Sequence, residues 1–238
     1  MSKDTAAQQA RRLQRREERT QQILDAALEV ILEHGVDGLT IQRMAKKLMW
    51  SVGALYRYFP GKEAVIAHLQ IRVLAELGDA IVARVEAMGE LPGISGLPPG
   101  DRAVAALLAA ADCYRQEALE VPARFLLVSA VIATPPAALE GEEAESVGAA
   151  FSGFLDRITR LVETATEHGS LGVGSAPERT LLLWSSVQGV LQMRKVATLD
   201  PRLDDLPGLV LALTESLLLG WGAPPSSLVF ARSFIAST

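Results

Sequence analysis

Cysteine is nearly absent from this chain: Cys113 stands alone among 238 residues. A single cysteine forms no disulfide within the chain and no thiolate metal cluster. Histidine is almost as scarce, and His34, His68 and His168 lie too far apart in sequence for an HExxH-type metal set. Nucleophile-elbow and phosphate-loop motifs are missing as well. No catalytic residue, metal or cofactor is therefore expected. Aromatic residues make up 5%, while alanine and leucine abound, a balance that favours helix over sheet. The longest apolar run, "LVLALTESLLLGWG" at 209–222, is interrupted by Glu215 and falls short of the ~20 apolar residues that span a bilayer. The charged start has no apolar segment of the signal-peptide kind. The expectation is a cytoplasmic protein with no membrane partner.

What the chain does have is 49% apolar residues, enough for a sizeable core. Its net charge of −5 hides an asymmetry. Residues 1–62 carry 11 Lys and Arg against 7 Asp and Glu, and the remainder carries 12 against 21. A basic N-terminal piece on an acidic body points to a polyanion met by one end only.

Apolar positions recur at helical spacing between Pro/Gly breaks. A first helix is predicted over 19–34, with Ile23, Ala27, Val30 and Ile31 on one face and Gly35 as its stop. Thr40 can cap a short helix over 41–48, and Ser51 a second over 52–58. Pro60-Gly61 then breaks the chain before a long helix over 62–88. "GELPGISGLPPGD" (89–101) and "TPPAALEGEE" (134–143) read as loops. Further helices are predicted over 102–118, 122–133, 144–168, 177–198 and 205–222, with one more turn or two in the tail. The basic stretch "ARRLQRREER" at 10–19 reads as a mobile arm.

Two short capped helices with a tight connection form a helix-turn-helix. Ala45 permits close approach, and Leu48, Leu55 and Phe59 wedge between the two. A plain helical hairpin would show the same periodicity. The wording goes further: "ILDAALEVILEHG", "GLTIQRMAKKL", "SVGALYRYF" and "GKEAV" together closely resemble the N-terminal domain of the tetracycline-repressor (TetR) family of bacterial regulators. The resemblance covers about a fifth of the chain. It implies an all-α homodimer, with a three-helix helix-turn-helix domain at 1–62 and a helical ligand-binding and dimerisation bundle at 63–238. Met49 departs from the family, which prefers glycine at that turn. Trp50 departs where valine is usual and is expected to pack inward, and Gly61 departs where Ser or Asn caps the fourth helix. A helical adaptor with a vestigial helix-turn-helix is the rival that these departures leave open.

Carried over position by position, the resemblance puts Thr40 at a phosphate and Gln42 at a base edge or the backbone of double-stranded operator DNA. Ser51, Val52, Gly53 and Ala54 would start the recognition helix in the major groove. Tyr56, Tyr58 and Lys62 would meet phosphates. Arg57 would serve as a direct guanine reader or, equally, as a phosphate partner. Arg11, Arg12, Arg15 and Arg16 would wrap into the flanking minor groove or remain a solvated tail. In the body, Cys113, Tyr114, Phe125, Phe151, Phe154 and Trp184 are candidates for the wall of a pocket taking a small, mainly apolar effector, against the alternative of ordinary core. Leu182, Ser186, Gly189, Met193, Leu213, Leu217 and Trp221 are candidates for a two-fold dimer interface, again against intrachain core. The implied function is a repressor that binds a palindromic operator as a dimer and is released by its effector.

Overall fold

The protein is represented by a computed structural model that describes residues 3–133 and 141–236. Every regular element among them is helical: α1 Lys3–His34, α2 Ile41–Leu48, α3 Val52–Leu55, α4 Lys62–Gly89, α5 Pro92–Ser95, α6 Pro99–Glu120, α7 Pro122–Ala133, α8 Glu142–Glu167, α9 Ala176–Gln192, α10 Leu206–Gly220 and α11 Pro225–Ala236. The chain divides into two compact units. One comprises the described residues of Met1–Val73 and Pro122–Val147, the other those of Leu74–Val121 and Gly148–Thr238. The first unit thus runs through the start of α4 and also takes in α7.

In the first unit α1 packs on α2 and α7, and α2 on α3. The apolar stripe of α1 explains this: Ile23, Ala27, Val30 and Ile31 are all buried, against Met44 and Ala45 of α2 and Leu55 of α3 in the same core. Each such large apolar side chain contributes ~1.5–3 kcal/mol on burial. Gly35 ends α1 with φ +73°, and its N–H reaches the Ile31 carbonyl at 2.8 Å, the left-handed stop that glycine permits. Arg72 of α4 joins the unit by ion pairing with Asp25 at 2.8 Å and bonding Gln21 at 3.0 Å.

The second unit is built round α6. Residues 103–111, "AVAALLAAA", are buried on every side, as an all-apolar helix must be. Helices α9, α10 and α11 pack on it. Its one buried charge, Asp112, is fully enclosed and paired with Arg115 at 2.6 Å and Arg84 at 3.5 Å.

Several predicted bounds move. Helix α1 begins sixteen residues earlier than the apolar stripe implies, so the arm is helical. The stretch at 89–101 is not all loop, because α5 forms within it and α6 starts at Pro99, where proline is pre-set for a first turn. The helix expected over 177–198 stops at Gln192 and continues as tighter 3₁₀ turns over Met193–Leu199 and Pro201–Leu203. Asp200 precedes a proline, which disfavours helical geometry there. The tail forms a full helix, α11, because Leu228, Ala231 and Phe234 recur on one face and are buried. Of the loop expected over 134–143, residues 134–140 lie outside the described residues.

Candidate nucleic-acid interface

The connection between α2 and α3 is set residue by residue. Thr40 is extended, and its hydroxyl accepts from the Arg43 N–H at 3.2 Å, capping α2. At the other end the Met49 N–H bonds the Lys46 carbonyl at 3.2 Å and the Trp50 N–H the Ala45 carbonyl at 2.9 Å. This nested pair is the Schellman motif, which demands a left-handed residue between helix and exit. Met49 supplies it at φ 55°, ψ 35°, and is the only non-glycine residue with positive φ among those described. The turn therefore keeps a glycine geometry without a glycine. Its side chain is 92% exposed, so no burial compensates for the strain.

Ser51 then caps α3, its Oγ accepting from the Ala54 N–H at 3.2 Å. The α-helix proper ends at Leu55 rather than Tyr58. The Tyr58 and Phe59 N–H groups both donate to the Leu55 carbonyl, at 2.8 and 3.0 Å, so Tyr56, Arg57 and Tyr58 form a tightened turn. Leu55 and Phe59 are buried as the wedge requires, while Leu48 is half-buried. His68 of α4 meets the Phe59 ring edge-on at 5.2 Å. Lys47 fastens α2 to α1 through Glu29 at 2.7 Å and Glu33 at 2.9 Å. The hydrogen bond from Lys47 lowers the pKa of the Glu33 carboxyl, and the bond to Glu29 raises that of the Lys47 ammonium.

None of the ten candidate DNA contacts is buried. Gln42, Ser51, Gly53, Tyr56 and Arg57 are exposed, and Thr40, Val52, Ala54, Tyr58 and Lys62 are half-buried. Gly53 is informative, because a Cβ built there would meet nothing within 4 Å. No neighbour within the chain requires a glycine at that position, which leaves its backbone open to close approach from outside.

Trp50 does not pack inward as expected. It is half-buried, tilted against Tyr58 at 6.2 Å, with the Arg19 guanidinium 5.2 Å from its ring centre. Arg19 belongs to the extended part of α1, whose arginines 11, 12, 15 and 16 line an open cleft with Arg57 and Tyr58. Reading the basic stretch as an arm missed this arrangement. The signal was present in the spacing, since Arg12, Arg15, Arg16 and Arg19 recur at three- and four-residue steps, the neighbours on a helix surface.

In the second unit, Tyr114, Phe154 and Trp184 line one small cavity of about 20 Å³. The buried Tyr114 hydroxyl donates to Gln188 Oε1, and burial pushes its pKa up. The other pocket candidates do not line that cavity. Cys113 is buried on α6, Phe151 meets Trp184 edge-on at 5.0 Å, and Phe125 lies in the core of the first unit. Among the dimer candidates, Leu182, Gly189 and Met193 are exposed on or just after α9, and Ser186, Leu213, Leu217 and Trp221 are half-buried. Trp221 carries the Arg179 guanidinium 5.4 Å from its ring centre.

Residues 23–69, which span the helix-turn-helix, match the domain described as "Bacterial regulatory proteins, tetR family". The HTH-type transcriptional regulator BetI 1 of Chromohalobacter salexigens is 39% identical over 66 residues, 28% of this chain and 33% of that protein. The class D tetracycline repressor protein of Escherichia coli is 39% identical over 57 residues, 24% of this chain and 26% of the repressor. The matched segments thus span about a third or less of these relatives' length. In fold, the chain is similar to SmeT, the repressor of the Stenotrophomonas maltophilia multidrug efflux pump SmeDEF, with a TM-score of 0.63, 22% identity, and coverage of 87% of this chain and 92% of SmeT. Residues 23–69 thus match the helix-turn-helix domain of the tetR family of bacterial regulatory proteins, and they lie within an all-helical architecture.

Proposed function

We propose that this chain is a cytoplasmic transcriptional repressor that binds a palindromic operator as a homodimer and is released by a small, mainly apolar effector. The observation that carries the reading is the open face of α2 and α3, where Gly53 has nothing within 4 Å of a would-be Cβ while Ser51, Tyr56 and Arg57 stand exposed round it. A helix presented without side-chain cover can enter a major groove, and its flanking hydroxyls and cations meet phosphate. The family is one of regulators rather than enzymes, and no described helix is long and apolar enough to cross a membrane.

Dimerisation is supported by the apolar residues left uncovered on α9 and α10, Leu181, Leu182, Leu209 and Leu219 among them. Two such helices from each protomer would form a four-helix seam about a two-fold axis. Effector binding is supported by the cavity on Tyr114, Phe154 and Trp184, whose lining is apolar apart from the tyrosine and tryptophan polar tips. At about 20 Å³ it holds roughly one water, so an effector would enter by parting these side chains. Helix α4 contributes residues to both units. The coupling required is ~1–3 kcal/mol.

The test is selection of bound duplexes from a random pool by the full chain, repeated after Arg57→Ala and Lys62→Ala. Arg57→Ala should change base preference at one position per half-site, and Lys62→Ala should weaken all sequences alike. A pool that returns no shared sequence, or binding that ignores salt, overturns the reading.

A further inference from the structure

We propose that the N-terminal extension of α1 is a second DNA-contact element, which grips the sugar–phosphate strand flanking the sequence met by α3. The inference rests on the duplex binding proposed above and adds a site to it. The cleft between the extension and the α3 turn measures about 1,160 Å³, beyond the ~300–1,000 Å³ usual for small-molecule pockets. Six arginines (11, 12, 15, 16, 19 and 57) line it and no carboxylate does. The acidic residues of the same segment are engaged elsewhere: Glu17 accepts from Gln21 at 2.8 Å and Glu18 from Gln14 at 3.1 Å. An open, arginine-walled cleft of this size suits a polyanionic chain rather than a compact ligand. Arg57 and Tyr58 form part of the wall, so a strand lying in the cleft continues directly from one lying under α3.

The extension is a helix continuous with the packed part of α1, which makes it a rigid mount. Trp50 braces it. The ring stands between Arg19, 5.2 Å away, and Tyr58, 6.2 Å away, and so ties the extension to the turn after α3. This gives the bulky residue at position 50 a use that core packing does not. From Arg11 to Arg19 the helix rises ~12 Å at ~1.5 Å per residue. One strand of B-DNA carries a phosphate every ~3.4 Å of axis, so roughly three phosphates fall within reach.

The experiment compares the wild-type chain with the quadruple variant Arg11→Gln, Arg12→Gln, Arg15→Gln, Arg16→Gln, using a duplex selected by the wild type. Affinity is measured across salt by fluorescence anisotropy, and backbone contacts by phosphate-ethylation interference. Each lost contact should lower the slope of log affinity against log salt by ~0.9. Three contacts per chain, six in the homodimer, would lower the slope by ~5.4 and shrink the affinity loss between ~50 and ~200 mM salt by roughly 2,000-fold. Interference at the flanking phosphates should disappear while the selected base sequence stays the same. Trp50→Ala should act in the same direction with a smaller change, and circular dichroism confirms that both variants remain helical. Wild-type slope and wild-type flanking interference in the quadruple variant would overturn this inference alone. A wild-type chain that selects no sequence would overturn the underlying reading and this inference together.

Discussion

Met49→Gly should stabilise the protein, although it removes a large apolar side chain. Methionine holds φ 55°, ψ 35° at this position, a conformation that costs an L-residue ~1–2 kcal/mol and glycine almost nothing. Against that relief stands the greater freedom glycine loses on folding, ~0.5–1 kcal/mol. Side-chain burial adds little to either column, since Met49 is 92% exposed. The net is a gain of about 0.5–1 kcal/mol, which for a chain of this length raises Tm by ~1–4 °C. Met49→Ala is the control: it keeps a Cβ and therefore the strain, and should leave Tm near the wild-type value. Calorimetric melts of the three proteins decide the matter. An equal rise for alanine, or a fall for glycine, would refute the argument from backbone strain. The Schellman bonds from Met49 and Trp50 should survive in the glycine variant, and with them the affinity for DNA.

Gly53→Leu should separate folding from binding. Nothing within 4 Å opposes the new side chain, and leucine is the better helix former by ~1 kcal/mol, so Tm should hold or rise while operator affinity falls at least tenfold; unchanged affinity would remove Gly53 from the interface. Asp112→Leu should cost ~3–5 kcal/mol in urea unfolding, because it leaves Arg84 and Arg115 partly buried around a lost partner. A cost below about 1 kcal/mol would show that both arginines find water. Burial, reinforced by the charge of Glu117, pushes the Cys113 thiol from 9.0 to about 11. The folded state thus favours the protonated thiol, and the stability it contributes is fully present below pH 9 and is lost as pH rises through about 11. Wild type should accordingly lose more alkaline stability than Cys113→Ala, and a native thiol that reacts with a disulfide reagent near neutral pH as fast as the unfolded one would contradict the burial.

Local chemistry made the helix-turn-helix legible. Thr40 and Ser51 announce their helix starts by side-chain capping, and Pro122 announces α7 by its fixed φ; all three starts stand where the sequence puts them. The extension of α1 was missed for the opposite reason. It has no apolar stripe, and among the described residues it is held by i,i+4 pairs such as Gln14–Glu18 and by the Arg19–Trp50 stack, none of which shows in hydrophobic periodicity. The end of α9 was missed because the apolar pattern runs on through Met193 and Val196, while the backbone tightens ahead of Asp200-Pro201. Pocket membership depends on something no local pattern carries, namely which unit a helix joins. Phe125 looks like any other apolar residue of the body, yet α7 belongs to the first unit. Tyr114, Phe154 and Trp184 meet at one cavity because α6, α8 and α9 are brought together by the fold.

The proposed recognition face is short of base readers, and the extension of α1 bears on that shortage. Val52, Gly53 and Ala54 offer only apolar or backbone surface, and Ser51 is committed to its cap. Gln42 and Arg57 remain as exposed side chains that can form bidentate bonds to a base. At ~1–3 kcal/mol of discrimination each, two readers per half-site would give the proposed dimer limited selectivity, and the rest would come from DNA shape and from the spacing of paired half-sites. Affinity has a different source, because phosphate contacts supply it without naming bases. Five arginines on a rigid helix beside the reading element are suited to that second task. The same division of labour would account for a glycine within α3 and a bulky Trp50 at its threshold: in the proposed complex the first lets the backbone approach the bases, and the second holds the cationic helix beside the DNA backbone.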